Sequence, residues 1–473
     1  MLRLKQEDRG QKTEDRNGWI RTAVVMGVAA FCLLSSVRSA QAATYYVATT
    51  GNDSNSGTAA DSAHAFATVA KGVSVAIAGD TVIVEDGTYG PNGAGNGSYP
   101  VTFHNSGTSG KPITVMAQNR GKATLDCQMT CSAYFDLYNA SFIVIQGFNI
   151  WNGYDEGIHS DGTAHDITIK WNDIGYVANG RVITDQIGRD GIFLNSSEYN
   201  FTFDGNAIHD IGRASGAAIN HLDHGIYSGA HNLTIINNIF YNNSKGWSIQ
   251  LCGATESECN ATTTNVLIAN NTFALNNKVT GEPGDIIFWG QFSGITVENN
   301  IFYQPVGSPL SSYQPSVTGS TFDYNLVYGA TVSGAPSGVA VGAHNLMGTT
   351  SAYNPNFSSL PAYNFHLTSP SPAIGAAVNL TNLGITQLDS DKAGASRPAT
   401  GNWAIGAYQS GSTPLTFSPC DVNKDSVINV ADVQLEVNLA LGVSPCTNSS
   451  GTCTVVSVQR VFNAALGGAC VAP

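Results

Sequence analysis

The sequence predicts an all-β protein whose strands stack as a parallel β-solenoid, and three observations lead to this fold class. A short phrase recurs at 232–240, 265–273 and 294–302, and each copy joins an alternating strand, a polar corner and a second apolar pair. The chain contains 51 Gly among 473 residues and only 12% charged residues, which is typical of all-β repeat proteins. One copy of the repeat is too short to bury its own apolar face, so the copies must stack on one another.

The first 43 residues have the pattern of an export signal. Basic residues extend to Arg21, an apolar run covers Ala23 to Val37, and Ala40-Gln41-Ala42 is a small-x-small cleavage site. The apolar run is shorter than the roughly 20 residues that a membrane span needs. We therefore expect a signal peptide over 1–43, secretion to the extracellular space, and no membrane insertion after cleavage.

Cysteine usage agrees with export. Eight of the nine Cys residues lie after the signal segment, and they are grouped in sequence. They are Cys127 and Cys131, Cys252 and Cys259, and a C-terminal four at Cys420, Cys446, Cys453 and Cys470. An even, clustered set in an exported chain predicts disulfide bonds, whereas zinc would need paired Cys/His spacing that these residues lack.

The chain is acidic. It carries 21 basic and 34 acidic residues, and removing 1–43 takes away 7 basic and 4 acidic residues, which leaves a net charge of −16. This balance argues against nucleic acid as a partner. An anionic glycan stays compatible with it if the few cations gather at one place. A monomer is expected.

The opening segment, 44–89, predicts a strand, a turn-rich loop, a helix and a second strand. The strands are 45–47 and 81–84, and the loop is 51–57. The helix runs from Phe66 to Ala78. Its apolar face consists of Phe66, Val69, Val73 and Ile77. An uncovered solenoid end would expose apolar core and unpaired strand edge, so we predict that this helix is an N-terminal cap.

Both ends of the solenoid region resemble secreted right-handed parallel β-helix proteins of the pectin lyase-like fold. The matching residues at the start are Tyr46-Val47-Ala48, Gly51-Asn52-Asp53, Gly57-Thr58, Phe66-Ala67-Thr68, Gly79-Asp80-Thr81-Val82 and Gly87-Thr88-Tyr89. Those at the end are Phe365-His366-Leu367, Ser369-Pro370-Ser371-Pro372-Ala373-Ile374-Gly375, Asp389, Arg397-Pro398 and Ile405-Gly406-Ala407-Tyr408. The resemblance implies a right-handed, single-stranded parallel β-helix domain over 44–408. This broad class contains polysaccharide lyases, glycoside hydrolases, epimerases and proteins of no known activity.

Aligning the repeats places an amide side chain at the polar corner of successive coils. The column consists of Asn172, Asn206, Asn238, Asn271, Asn300 and Asn325, with Phe148 in the same position of an earlier coil. Stacked Asn amides can hydrogen-bond along the axis of a stacked-strand structure. We therefore interpret the column as structural, in preference to a glycan contact.

The chain ends in a separate module at 420–473, after a Ser/Pro/Gly-rich linker at 409–419. Oxygen ligands stand at positions 1, 3, 5, 9 and 12 of one loop. They are Asp421, Asn423, Asp425, Asn429 and Asp432. Ca²⁺ takes six or more hard oxygens, and this spacing supplies them. A helix is predicted from Val433 to Leu441, and its pattern recurs 25 residues later.

This duplicated loop and helix resembles a type I dockerin. The resemblance implies a small α-helical, Ca²⁺-binding module and a cohesin-like partner, and a purely structural module is the alternative. The second half departs from the pattern, because Cys446, Asn448, Ser450, Thr454 and Ser457 stand where carboxylates should be. We therefore expect one Ca²⁺ in this module.

Candidate chemistry is concentrated in a few coils. Six of the ten His residues are His159, His165, His209, His221, His224 and His231, and six of the 14 cations outside the signal lie between 165 and 280. Two long insertions, 175–188 and 211–222, interrupt the same coils. Long loops on a rigid scaffold are the usual walls of a cleft.

The strands beside these insertions align in three columns. Ile158, Ile192, Ile226 and Ile249 are predicted to face the core. Side chains alternate along a strand, so two outward columns follow. The first consists of Asp155, Arg189 and Asp223, and the second of His159, Phe193, Tyr227 and Gln250. His224 has the parity of the core and can turn inward. With strands about 4.8 Å apart, these groups can converge on one sugar.

This set suits β-elimination from a uronate polysaccharide, which needs a cation for the sugar carboxylate, a base and an acid. We predict Arg189 as the cation, His221 or His224 as the base, and Tyr227 as the acid. The remaining substrate-binding candidates are Asp155, His159, Asp190, Asp223, Lys245 and Gln250. β-helix lyases and uronate epimerases commonly use such a constellation, several of them with Ca²⁺, so the resemblance also implies Ca²⁺ at this site.

Two other functions remain open. A glycoside hydrolase needs two carboxylates that flank the scissile bond. Asp155, Glu156, Asp190 and Asp223 could supply them, although the paired-Asp and Gly-His-Gly signatures of β-helix pectin hydrolases are absent. A glycan-binding surface protein without turnover is the other alternative. In each case the expected partner is an extracellular anionic polysaccharide on the outer face of the coils at 155–290.

Overall fold

The computed structural model describes residues 42–409 and parts of 420–470. The gaps in the first range are 94, 96, 186, 215–220, 244, 255–258, 260–261, 278–282 and 333–334, and the described parts of the second are 420–422, 428, 430–441, 453–468 and 470. The predicted signal segment up to residue 41, the linker from 410 and Asn423, Asp425 and Asn429 lie outside the described residues. Within the described residues no helix has the length and apolar character to cross a membrane.

Residues 44–348 wind into a parallel β-helix with three faces, each a stack of parallel strands from successive coils. The first face consists of β4 (Val101–Thr102), β7 (Phe135–Asp136), β10 (Glu156–Ser160), β13 (Asp190–Leu194), β16 (Ile226–Ser228), β19 (Ile249–Gly253), the first half of β22 (Ile286–Glu298) and β24 (Leu310–Thr318). Because β22 is long enough to continue around the corner, it joins the first face to the second.

The second and third faces complete each coil. The second consists of β1 (Thr44–Val47), β2 (Thr81–Val84), β5 (Ile113–Ala117), β8 (Ser141–Gln146), β11 (His165–Lys170), β14 (Tyr199–Asp204), β17 (His231–Ile236), β20 (Thr263–Ala269), the second half of β22, β25 (Ser320–Asp323) and β27 (Val339–Val341). The third consists of β3 (Gly87–Tyr89), β6 (Ala123–Asp126), β9 (Asn149–Trp151), β12 (Asp173–Gly175), β15 (Ala207–His209), β18 (Ile239–Tyr241), β21 (Thr272–Ala274), β23 (Ile301–Tyr303), β26 (Leu326–Tyr328) and β28 (Leu346–Gly348).

The recurring phrase is confirmed as one corner of the coil. Its alternating strand lies on the second face, its Asn-Asn pair forms the turn, and its second apolar pair begins the third face. Equivalent apolar side chains stack in the core. The Phe273 ring lies 4.9 Å from that of Phe240 and 4.8 Å from that of Phe302. A single coil is stable only within the stack, because its apolar side chains are buried against the equivalent side chains of the neighbouring coils.

The Asn column forms the predicted hydrogen-bonded ladder. The backbone N–H of Asn206 donates to Oδ1 of Asn238 at 2.8 Å, and Nδ2 of Asn238 donates to Oδ1 of Asn271 at 3.0 Å. The same pattern continues through Asn300 to Asn345. The amides satisfy backbone groups that the tight turn would otherwise leave unpaired.

We predict that Asn238→Ala destabilises the protein by about 2–3 kcal/mol, because it leaves buried donors of Asn206 and the carbonyl of Phe203 without partners. Chemical denaturation measures the change in the free energy of unfolding. The control is Asn402→Ala, since Asn402 is exposed and donates one bond, to the carbonyl of Gly375. Equal midpoints for the two variants would contradict a stabilising ladder.

The N-terminal helix, α1 (Val69–Val75), is shorter than predicted. Thr68 caps it by accepting a hydrogen bond from the N–H of Lys71 at 3.1 Å. It ends because Ala76 adopts an extended backbone, and Ile77, predicted on the buried face, is 49% exposed. The helix lies against β1, β2 and β4. Its role as a cap of the solenoid remains a prediction.

The remaining elements follow the coils. β29 (Phe357–Ser359) and β30 (Asn364–Leu367) form an antiparallel pair, and short 3₁₀ helices cover Ser351–Tyr353, Leu360–Ala362, Thr381–Leu383 and Thr386–Asp389. In the C-terminal module α2 (Val430–Ala440) packs against α3 (Val455–Ala465). The first of these helices begins at Val430, three residues earlier than predicted.

Disulfides join Cys127 to Cys131, Cys252 to Cys259 and Cys420 to Cys470, and Cys453 is also disulfide-bonded. The predicted disulfide chemistry is thus present.

Glu198 is a buried carboxyl at the corner between β13 and β14, where it accepts hydrogen bonds from the Ser160 hydroxyl and the N–H of Asn195. Burial raises its pKa from 4.5 to about 8. Between these two pH values the folded protein holds a proton that the unfolded chain has released. The contribution of Glu198 to the free energy of unfolding is therefore largest at or below about pH 4.5, and it falls as the pH rises towards 8.

We expect the wild-type free energy of unfolding to decrease across this window, by an amount of the order of a few kcal/mol. Glu198→Gln keeps the shape of the side chain without the ionisation, so its pH profile should be flatter over the same range. Thermal melts of both proteins at several pH values measure this. Parallel profiles would show that Glu198 does not contribute.

Candidate functional site

The first face carries a column of rings on its outer side. His159, Phe193, Tyr227 and Gln250 occupy one register, as predicted, and the adjacent Ile158, Ile192, Ile226 and Ile249 are fully buried. We call Tyr99, His159, Phe193 and Tyr227 the aromatic column. Its successive ring centroids are 5.0, 5.4 and 5.5 Å apart, and all three pairs are stacked. An aligned apolar edge of this kind suits the repeating rings of a polysaccharide.

In the neighbouring column of charges Arg189 and Asp223 are buried and Asp155 is partly exposed, so the prediction of an open, substrate-facing column is wrong for the first two. Arg189 is 1% exposed. Its guanidinium lies 3.3 Å from Asp155 and 2.7 Å from Asp185, and it also donates to the carbonyls of Ile187 and Gly188. Asp155 additionally accepts a 2.5 Å hydrogen bond from the Ser132 hydroxyl. Arg189 is therefore occupied by protein groups and does not project into an open groove.

The insertions supply the partners that close over this column. Asp185 comes from the first insertion and binds Arg189, while Arg213 comes from the second and forms a two-oxygen pair with Asp223. Arg213 and Asp223 are both fully buried at their side chains, and Arg213 also reaches Asp185 at 3.5 Å. The long loops thus cover charges that the strand pattern alone places on the outside.

Lys245 and Gln250, predicted to bind substrate, are also buried, at 0% and 7% exposure. Burial lowers the pKa of Lys245, the positive charge of Arg213 adds to this, and Asp223 opposes it. A lysine held in this environment has a greater neutral fraction than a surface lysine. Its burial beside Arg213 and Asp223 makes it part of the closed ionic cluster.

Asp190 and His224 form a buried pair next to Tyr227 of the aromatic column. Oδ1 of Asp190 accepts hydrogen bonds from the backbone N–H of His224 at 3.0 Å and from its Nδ1 at 2.9 Å. Nε2 of His224 is buried and has no hydrogen-bond partner within the part of the chain that the structure describes. The ring lies 5.9 Å from Trp247, nearly parallel to it, and 5.6 Å from Tyr227. Asp190 therefore fixes the tautomer, with the proton on Nδ1 and a lone pair on Nε2.

The other predicted base, His221, is half-buried, and its ring lies 6.4 Å from that of Trp247. Tyr227 donates its hydroxyl hydrogen bond to Sγ of Cys252 at 3.3 Å, next to the Cys252–Cys259 disulfide. The structure thus brings His224, Tyr227 and the aromatic column together. Tyr227 keeps a partly exposed position, whereas His224 is 1% exposed.

His159 and Glu156 are a second titratable pair on this face. Burial raises the pKa of Glu156 to about 7. Burial acts to lower the pKa of His159, but Glu156 at 3.9 Å outweighs it, so the net effect is a raised pKa. The His159 side chain is 18% exposed. It is thus a partly exposed group of the first face that favours positive charge.

Three of the four carboxylates considered for a hydrolase, Asp155, Asp190 and Asp223, are paired with other protein groups. Asp190 is bound to His224, Asp223 to Arg213, and Asp155 to Ser132 and Arg189. Across the described ranges no group of three or more His, Cys, Asp or Glu side chains is placed to hold a metal ion. Of the five predicted Ca²⁺ ligands in the C-terminal module, Asp421 and Asp432 are described and buried, and Oδ1 of Asp432 accepts a hydrogen bond from the N–H of Val422 at 2.7 Å.

Two participants were missed at the sequence level. Asp185 lies in the first insertion and joins Arg189 to Arg213, and the insertion's length was its only signal. Tyr99 lies in a loop before β4 and extends the aromatic column beyond His159. No repeat register includes Tyr99, so the pattern offered no signal for it.

A protein family described as Pel9A-like, right handed beta helix region, matches residues 45–281, half of the chain. Among characterised proteins, pectate lyase L of Dickeya dadantii (strain 3937) is 37% identical to this chain over 83 residues. That segment is 17% of this chain and 19% of the lyase, so the chain matches about a fifth of that relative's length.

Solved structures are also similar to this chain. The crystal structure of pectate lyase Pel9A has 16% sequence identity and a TM-score of 0.49, and the match covers 79% of this chain and 97% of that one. An alginate lyase from Paenibacillus sp. str. FPU-7 has 14% identity and a TM-score of 0.41, with 59% of this chain and 96% of that chain covered.

Proposed function

Because the chain belongs to the Pel9A-like right-handed β-helix family, we propose that it is a secreted polysaccharide lyase that cleaves a uronic-acid-containing polysaccharide by β-elimination. Family membership and the local identity with a pectate lyase support the reaction class. The observation that carries the proposal is the Asp190–His224 pair. Nε2 of His224 has no hydrogen-bond partner among the described residues, and the His224 ring lies 5.6 Å from that of Tyr227 in the aromatic column.

In β-elimination a base removes the proton from the carbon next to the sugar carboxylate. The C–H electrons form the new double bond, and the glycosidic oxygen on the neighbouring carbon leaves and takes up a proton. We assign the base to Nε2 of His224, because Asp190 holds Nδ1 as the protonated nitrogen. Asp190 is then a positioning residue. Tyr227, whose ring lies 5.6 Å from that of His224, supplies the proton to the leaving oxygen.

The sugar carboxylate needs a positive partner as charge develops. Arg189, expected in this role, is engaged by Asp155, Asp185 and two carbonyls. We assign the role to His159, whose pKa is raised and whose side chain is partly exposed. The aromatic column then aligns successive sugars along the face.

Access to His224 is part of the proposal. Its Nε2 is covered, so substrate binding must displace a neighbouring group before proton transfer occurs. Catalytic contacts are often loose before substrate binds and tighten afterwards. Trp247 stacks on the His224 ring, and the half-buried His221 lies next to Trp247, so these are the neighbours that we propose to move.

A glycan-binding protein without turnover is the second candidate, and the burial and mutual pairing of Arg189, Arg213 and Asp223 favour it. These charges then serve to rigidify the face that binds the polymer. This candidate predicts affinity for an anionic polysaccharide and no product.

Absorbance at the unsaturated-uronate band separates the two candidates. The purified protein is incubated with pectate, alginate and glycosaminoglycans, with and without Ca²⁺, and reducing ends are measured in parallel. A rise in absorbance on one polymer is expected. A flat trace with new reducing ends would identify a hydrolase, and a flat trace without them would exclude catalysis on these polymers.

We also propose that the C-terminal module binds one Ca²⁺ through Asp421, Asn423, Asp425, Asn429 and Asp432, and that it docks to a cohesin-like partner. The spacing of oxygen ligands supports the ion, and the duplicated loop and helix supports the partner. Ca²⁺ would supply folding stability to the module, since oxygen ligands of this kind are held together by the ion.

A further inference from the structure

A separate pocket lies at the corner between the second and third faces, away from the aromatic column. Its volume is about 310 Å³, which is within the size range of small-molecule sites. Arg120, Asn149, Trp171, Asp173 and Lys392 are among the residues that line it. Lys392 comes from the segment that follows the β-helix coils, so the pocket joins three distant parts of the chain.

The indole of Trp171 lines this pocket, and two cations lie over its ring. Cζ of Arg120 lies 5.3 Å and Nζ of Lys170 lies 4.4 Å from the ring centroid. Gly205 lies next to the ring. A Cβ at that position would be 2.6 Å from Cδ1 of Trp171, so only glycine leaves room for the ring to lie there. An aromatic ring beside cations is a common way to bind the face of a charged sugar.

Arg120 is incompletely satisfied. Among the described residues its buried Nη1 has no hydrogen-bond partner, and Nη2 donates to the carbonyl of Lys392 at 3.5 Å. A buried charged donor without an acceptor costs free energy, and such groups usually mark a bound ligand or water. Burial lowers the pKa of Arg120 to about 10 and that of Lys392 to about 7. Both cations would thus gain from an added negative charge.

The carboxylates near the pocket are already engaged. Asp391 accepts from the backbone N–H groups of Ala393 and Ala395, and Asp204 accepts from Nδ2 of Asn237. Asp173 accepts from Trp151 and pairs with His209. None of these three carboxylates accepts a hydrogen bond from Nη1 of Arg120, which can therefore donate one to an external carboxylate.

We propose that this pocket is a second carbohydrate site, which binds one uronate residue with its carboxylate on Nη1 of Arg120 and its ring on the indole of Trp171. The site is independent of catalysis, because it lies at a different corner of the β-helix from His224. In an acidic chain it would add affinity for an anionic polysaccharide at a point remote from the first face.

The test is a calorimetric titration of the full-length protein with the monosaccharide galacturonate, and with galactose as the neutral control. Galacturonate should bind at least about tenfold more tightly than galactose, which corresponds to one charge-assisted hydrogen bond. Trp171→Ala and Arg120→Gln should each weaken galacturonate binding about tenfold or more. Arg181→Gln is the matched control, since Arg181 is exposed.

Trp171→Phe distinguishes loss of the aromatic contact from a folding defect. It retains a smaller ring, so it should bind galacturonate with intermediate affinity. His224→Gln should leave galacturonate binding unchanged. Equal binding of the two sugars, or full affinity in both Trp171→Ala and Arg120→Gln, would overturn the proposal. Loss of binding only in His224→Gln would place the sugar on the first face, and this too would overturn it. Lyase activity is measured separately, so its absence does not affect the result.

Discussion

Replacing His224 with Gln is expected to lower lyase turnover about 10²–10⁴-fold, the usual contribution of a general base. The amide cannot accept the proton that Nε2 of the imidazole is positioned to take. Binding of the polysaccharide should change little, because the aromatic column, which includes His159, is unchanged. The measurement is the initial rate of absorbance increase on the active polymer, together with its KM.

The matched control is His231→Gln, since His231 stacks on Tyr199 on the second face and should keep the wild-type rate. Asp190→Asn should also reduce turnover, because the amide no longer fixes the proton on Nδ1. If His224→Gln kept the wild-type rate while His221→Gln lost it, the base would be His221, the other imidazole predicted for this role.

Replacing Arg213 with Met is expected to destabilise the fold by about 3–5 kcal/mol, because it leaves the carboxylate of Asp223 buried and unpaired. Both side chains are fully buried and share two hydrogen bonds between them, at 3.1 and 2.6 Å. The arginine also donates its backbone N–H to Asp223, which the substitution keeps. Chemical denaturation gives the change in the free energy of unfolding.

The exposed Arg181 serves again as the control, and Arg181→Met should change stability by no more than about 0.5 kcal/mol. The double variant Arg213→Met with Asp223→Leu should recover much of the loss, since removing both charges avoids the unpaired carboxylate. A double variant as unstable as Arg213→Met alone would show that packing, and not charge pairing, accounts for the effect.

These two predictions concern one architecture. The ionic cluster of Arg189, Asp185, Arg213 and Asp223 connects both insertions to the strands behind the aromatic column. It holds the loops in place around Asp190 and His224. The cluster therefore supports the site. The sequence instead predicts that Arg189 and Asp223 face the substrate.

Much of the fold could be predicted from local patterns that recur. The repeated phrase established the stacked parallel strands, the Ile column established which side faces the core, and the Asn column established the corner ladder. These features depend on period-two alternation and on one coil repeating the next. Both can be recognised in a linear sequence without knowledge of the chain's path.

The site was only partly predictable. The sequence predicted the ring column with His159 and Tyr227, but not the burial of Arg189, Asp223 and Lys245. Burial there depends on Asp185 and Arg213, which the insertions carry back over the strands, and no periodicity describes a loop that occurs once. The pocket of Arg120, Trp171 and Lys392 joins residues up to 272 positions apart. By itself the sequence determined what repeats, through alternation and stacking. The tertiary structure alone decided which charges neutralise each other, because those pairs form between segments that meet only when the chain is folded.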